Sequence, residues 1–170
     1  VVQADLLRRV NRLLAPEISG SRQRSVWIRD LLAQDVLSPL GDEQIGVTRS
    51  QIGDAQAVWE RAVARIRARE ERYHERAYLF VLAAIEYLQL TLPERRHVSG
   101  VELAGACRDL ALQQYGLLAP AVLAHWGIVA TRDFGRIVFT LIDVQLLIAQ
   151  PADRLEDFDA VYDFDAAFSP

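Results

Sequence analysis

Lysine and methionine are absent from the 170 residues, and cysteine occurs once. All 19 positive charges are therefore arginines, which we read as a coding bias without functional weight. The single thiol, Cys107, excludes an internal disulfide and fits a reducing compartment. The chain opens at Val1, so it reads as processed, trimmed or part of a longer polypeptide. No basic stretch leads into an apolar one at the N-terminus, so no signal peptide is visible. The two longest apolar runs are residues 77–92, interrupted by Glu86 and Gln89, and 137–149, interrupted by Asp143 and Gln145. Both fall short of the roughly 20 residues a membrane span needs. A cytoplasmic protein with no membrane contact is the expectation.

Catalytic signatures are missing as well. There is no Gly-x-Ser-x-Gly, no phosphate-cradling glycine loop, no dinucleotide fingerprint, and no His-x3-His or Cys-x2-Cys. The histidines are His74, His97 and His125. His74 reads as a cap or packing residue at the head of a helix, and His125 as a partner for a helix C-terminal dipole. Cys107 lies mid-helix with no adjacent base to lower its pKa, so it reads as buried and inert. Neither a cofactor nor a small-molecule ligand is expected.

What is present is helical periodicity. Leu6, Leu7, Val10, Leu13 and Leu14 share one face of a first helix, and Trp27, Ile28, Leu31 and Leu32 that of a second. Together they suggest an N-terminal helical hairpin over 1–40. Proline, glycines and weak periodicity after it suggest a linker over 41–53, leaving a helical domain over 54–170. Within that domain, residues 55–70 read as a helix, and 72–90 as a second one, apolar on most sides and central. Ser99 with Glu102 three positions on forms a capping box, which opens a helix running to Gly116. Pro120 starts a short helix that Gly127 stops, and Thr131 caps a longer one.

The C-terminus repeats Asp-Phe-Asp-Ala at 157–160 and 163–166. Phe158, Ala160, Tyr162 and Phe164 alternate with Asp157, Asp159, Val161 and Asp163, the pattern of a half-buried strand. Residues 146–164 thus read as a β-hairpin around the turn at 150–154. A metal is not expected at the acid row, because carboxylates two apart on a strand are rooted roughly 6.5 Å apart. Ca²⁺ or Mg²⁺ gathers its oxygens at about 2.0–2.6 Å from one point.

The expected fold is therefore mainly α: a helical bundle with a winged-helix-like unit, three helices and a C-terminal β-hairpin, over about 99–164. Its chemistry does not suit DNA. The presumptive recognition helix would present Arg132, Asp133, Arg136, Thr140 and Asp143, with no net charge. The wing would present aspartates, which phosphates repel.

"ERYHERAYLFVLAAIEYL", "RRHVSGVELAGACRDLALQQYG", "HWGIVATRDFGRIVFTLI" and "EDFDAVYDFDAAF" occur in that order. Together they resemble an uncharacterised bacterial family restricted to Planctomycetes and Verrucomicrobia, over about residues 56–168. Residues 1–50 lie outside the resemblance. An Asp-Pro often precedes the Arg-Tyr in that family, where this chain has Glu70 and Glu71. The resemblance implies domain limits but no activity, and it assigns no functional residues.

Charge is divided unevenly. Residues 1–100 hold 15 arginines and 13 acids, and residues 101–170 hold 4 arginines and 10 acids. The reading that follows is a non-catalytic protein–protein interaction module, a subunit or adaptor of a larger assembly or of a homo-oligomer. Its surface would include Arg132, Arg136, Asp157, Asp159 and Asp163. The alternative is a nucleic-acid or ribonucleoprotein binder using Arg61, Arg65, Arg69, Arg72 and Arg76, which fall within about 80° on one straight helix. Against it, Glu60, Glu70, Glu71 and Glu75 stand ready to pair with those arginines. A third reading, an enzyme built around His74 or His125, has nothing in the sequence to recommend it.

Overall fold

Two glycines on neighbouring helices and one phenylalanine from the C-terminal segment explain how the domain closes. The computed structural model describes residues 59–168, so the expected hairpin over 1–40 and linker over 41–53 lie outside the described residues. The chain is helical from the first described residue to 67 (α1), then follow α2 (Glu75–Thr91), α3 (Gly100–Tyr115), α4 (Ala119–His125), α5 (Thr131–Asp143) and a short α6 (Phe164–Ala167). Two 3-10 turns, Gly116–Leu118 and Leu155–Phe158, complete them. The domain is mainly helical, as expected.

α2 packs on α3 and α5, and the Leu155–Phe158 turn covers α3 and α5 from another side. Ala77, Tyr78, Phe80, Val81, Ala84 and Ile85 of α2 are buried together with Leu103, Ala104 and Cys107 of α3. Phe134, Ile137, Val138 and Leu141 of α5 join them. The apolar character of residues 77–92 thus makes α2 central, as its sequence suggests. α5 is enclosed too: Asp133 and Thr140, expected to face outward, are buried. Of the five residues expected on its outer face, Arg132, Arg136 and Asp143 reach solvent.

The start and stop signals mostly act as read. Ser99 Oγ accepts from Glu102 N–H at 3.2 Å, and Glu102 Oε2 accepts from Ser99 N–H at 2.8 Å. Gly116 takes φ +52°, the left-handed region that ends α3. Gly127 takes φ +89° after α4. A β-carbon there would lie 2.8 Å from the Arg72 carbonyl, so the 127 turn needs glycine for space as well as for φ. Thr131 departs from its expected role. It is the first residue of α5, and Asp133 does the capping by accepting from Val129 and Ala130 N–H at 2.9 and 3.0 Å.

The Ser99–Glu102 box has a measurable pH signature. Hydrogen bonds from Arg96 and from the Ser99 backbone hold the Glu102 carboxyl down at about 2. A carboxyl whose pKa is depressed by folding adds stability above its unfolded value, and loses it as pH falls through the folded one. Glu102→Ala should therefore cost about 1 kcal/mol at neutral pH, a cap-sized loss with the exposed Arg96 pair adding little. Urea denaturation of both proteins should show that gap shrinking between about pH 4.5 and 2.

The expected β-hairpin over 146–164 is not there, and no strand pairs with another among the described residues. α5 ends at Asp143, Gln145 takes φ +65°, and the aspartates build turns instead. Asp157 Oδ2 accepts from Arg154 N–H at 3.0 Å, and Asp163 Oδ1 accepts from Ala166 N–H at 2.8 Å as the N-cap of α6. Each aspartate reaches a backbone amide three residues away, a local bond that competes with sheet pairing. The alternation of rings and acids is real, but it records capping positions rather than a pleat. With no hairpin there is no wing.

Phe158, fully buried, fills the notch this leaves. A β-carbon on Gly100 would lie 2.9 Å from its Cε2, and one on Gly135 would lie 2.8 Å from its Cγ and Cδ2. The ring therefore sits where two helices dispense with side chains. Thr131 Oγ1 donates to the Phe158 carbonyl at 2.7 Å. Beyond it, Tyr162 donates from its hydroxyl to the Ala104 carbonyl at 3.1 Å, and Phe164 meets Phe168 at 4.9 Å between ring centres.

Candidate functional site

The most concentrated polar chemistry lies where the loop before α2 meets the start of α5. Tyr73 is carried against α5 because His74 N–H donates to the Trp126 carbonyl at 3.1 Å, tying the 70–74 segment to the end of α4. The Tyr73 hydroxyl donates to Asp133 Oδ1 at 2.6 Å in a buried contact, and Arg136 Nη1 donates to the same oxygen at 3.2 Å. The other carboxylate oxygen holds the two amides that open α5. Burial first, and the Asp133 hydrogen bond second, push the Tyr73 phenol up to about 12. Such a phenol keeps its proton at neutral pH and serves as a donor, not as a base.

Tyr78, one turn into α2, stands edge-on to Tyr73 with ring centres 6.3 Å apart. Its hydroxyl is buried and finds no hydrogen-bond partner among the described residues. Burial is the largest cause that raises it, to about 12.

Two histidines that are far apart in sequence come together on the outer side of this junction. His74 and His125 rings lie 6.1 Å apart. His74 is the N-cap of α2: its Nδ1 accepts from Arg76 N–H at 3.1 Å. The lone pair on Nδ1 is thereby occupied, and the neutral ring carries its proton on Nε2. Binding a metal through Nε2 would require moving that proton to Nδ1 and giving up the cap. Among the described residues no three His, Cys, Asp or Glu side chains gather as a metal site would require. Cys107 is wholly buried, and burial pushes its thiol far up, so it offers no thiolate.

The charged residues singled out in sequence fare differently from one another. Arg132 Nη1 donates to Asp159 Oδ1 and Oδ2 at 2.6 and 2.5 Å, tying the C-terminal segment to α5. Arg136 turns to Asp133. Asp157 and Asp163 cap turns, as described. The five-residue partner set is therefore largely engaged within the domain. The Arg row is divided, because α1 ends at 67 and the backbone turns before α2. Arg61, Arg65 and Arg69 are exposed, Arg72 is exposed near the Tyr73 hydroxyl, and Arg76 is half-buried in the first turn of α2.

An apolar corner, not expected from the sequence, lies between α3 and α4. Leu117 and Leu118 are 74% and 68% exposed in the 3-10 turn between α3 and α4, with exposed Leu112 one turn earlier. The clue available was a pair of leucines directly after a helix-ending glycine, a place where solvent-facing residues are ordinarily polar. No helix among the described residues is long and apolar enough to cross a membrane. No family model, curated protein or solved structure matches this chain.

Proposed function

We propose that the protein is a non-catalytic interaction module of the cytoplasm, a subunit or adaptor that docks on another protein through the α3–α4 corner. The observation that carries this reading is the adjacent pair Leu117 and Leu118, both more than two-thirds exposed. A helical turn that leaves two large apolar side chains in water gains free energy when a partner covers them, at about 25 cal/mol per Å² removed from water. The polar clusters support the same reading from the other side. Tyr73, Asp133, Arg132, Asp159, Asp157 and Asp163 are each engaged in holding a turn or a helix end, and none is poised for proton transfer. Membership of the Planctomycetes and Verrucomicrobia family belongs to the same proposal, and it brings no activity that would compete.

The test is the double variant Leu117→Glu with Leu118→Glu. Both positions are exposed, so the melting temperature should stay within a degree or two of the parent protein. The complexes recovered by chemical crosslinking of the native protein in its own cells should disappear. A variant that keeps the same crosslinked species would refute the corner as the docking site.

A further inference from the structure

We propose that the outward face of α1, with the turn that follows it, binds the phosphodiester backbone of a nucleic acid, without reading its sequence, through Arg61, Arg65 and Arg69. In sequence this possibility is weakened by the glutamates interleaved with the arginines, but the structure engages two of them elsewhere. Glu75 pairs with Arg67 at 3.1 Å, and Glu70 Oε1 accepts from the Arg72 backbone N–H at 3.0 Å. Arg61, Arg65 and Arg69 have no ion pair among the described residues. Over residues 59–76, six arginines face four glutamates.

Buried Val63 and Ile66, with Trp59 and Ala62 packed against the core, fix which side of α1 turns out. On that side the arginines alternate with exposed Ala64 and Ala68. The four-residue spacing roots Arg61 and Arg65 about 6 Å apart along the axis, and Arg69 follows from the turn that closes the helix. The small alanines let a backbone approach without displacing long side chains. A guanidinium group also matches a phosphate with two parallel hydrogen bonds.

A phosphodiester fits this face better than a membrane does. Helices that lie on anionic membranes bury large apolar residues beside their basic ones. Among the described residues the exposed leucines and valines (Leu90, Val101, Leu112, Leu117, Leu118, Val129) all lie outside α1. Sequence reading is not expected either, because Trp59, the aromatic residue of this helix, is turned against the core. This proposal is independent of the leucine corner, whose double variant should bind nucleic acid as the parent does.

The experiment is fluorescence anisotropy with a labelled 20-base-pair duplex and a labelled 20-nucleotide single strand of mixed sequence, using the full chain. Three phosphate contacts give a slope of log affinity on log salt of about −2.7 for duplex, or about 40-fold weaker binding at 200 mM than at 50 mM salt. Arg61→Gln/Arg65→Gln/Arg69→Gln should bind at least about tenfold more weakly at 50 mM salt and lose most of that slope. Arg154→Gln, an exposed arginine without an ion pair in the acidic C-terminal segment, is the control and should change nothing. Circular dichroism melts check that the triple variant folds. Three outcomes would overturn the proposal: no binding at 100 µM protein in 50 mM salt, an equal loss in the Arg154 control, or binding to phosphatidylserine vesicles without binding to either oligonucleotide.

Discussion

Phe158→Ala should lower the stability of the domain by about 3–5 kcal/mol, among the largest effects of any single truncation here. The ring is wholly buried between Gly100 of α3 and Gly135 of α5, and neither glycine has a side chain to fill the space left behind. A cavity walled by helix backbone relaxes little, so the loss should sit toward the upper end of that range. The effect should also spread. Asp159 reaches Arg132 and Thr131 reaches the Phe158 carbonyl only while residue 158 is seated. Urea denaturation gives the size of the loss, and amide exchange at Val161 and Ala166 should quicken well before exchange in α2. If Phe158→Ala costs less than about 1 kcal/mol, the C-terminal segment does not close the bundle as described.

Asp133→Ala should cost about 3 kcal/mol, through loss of acceptors rather than loss of volume. One carboxylate satisfies the Tyr73 hydroxyl and the Val129 and Ala130 amides. Removing it strands a buried phenol and uncaps α5. Arg136, which is partly exposed, can turn to water and adds less to the penalty. Asp133→Asn keeps one acceptor oxygen and should fall between the two proteins. The phenol supplies a second readout: its titration, held up at about 12 by burial and by Asp133, should move down in Asp133→Ala while remaining above the ordinary value, because burial is the larger cause. A variant with unchanged stability and unchanged phenol titration would remove Asp133 from the account.

Much of the helical frame was legible in the residues themselves. The Ser99–Glu102 pair, Gly116 and Gly127 act through bonds made within a few residues, so short-range chemistry was enough to place them. The C-terminal segment was misread because period-two alternation is compatible with two structures. Aspartates spaced to cap successive turns produce the same pattern as acids on the outer face of a strand. What distinguishes them is tertiary: the notch between Gly100 and Gly135 accepts Phe158 only from a turn. Asp133 was placed outward for a similar reason. A carboxylate in the first turn of a helix is normally solvated, and nothing near it in sequence reveals that Tyr73, sixty residues earlier, lies against it. The pairing of Arg132 with Asp159 escaped notice because the two had been assigned to one outward surface. The leucine corner is the opposite case, visible as Leu117 and Leu118 but ordinarily assigned to a core.

If this fold works by being held at the α3–α4 corner and not by reacting, as we propose, a partner touches position 117. A photo-crosslinking amino acid placed there in the full chain, and activated in the protein's own cells, should give one discrete adduct whose partner is identifiable by mass spectrometry. The same probe at Arg154 should give none. Equal labelling from both positions, or no adduct from 117 at native abundance, would contradict the claim.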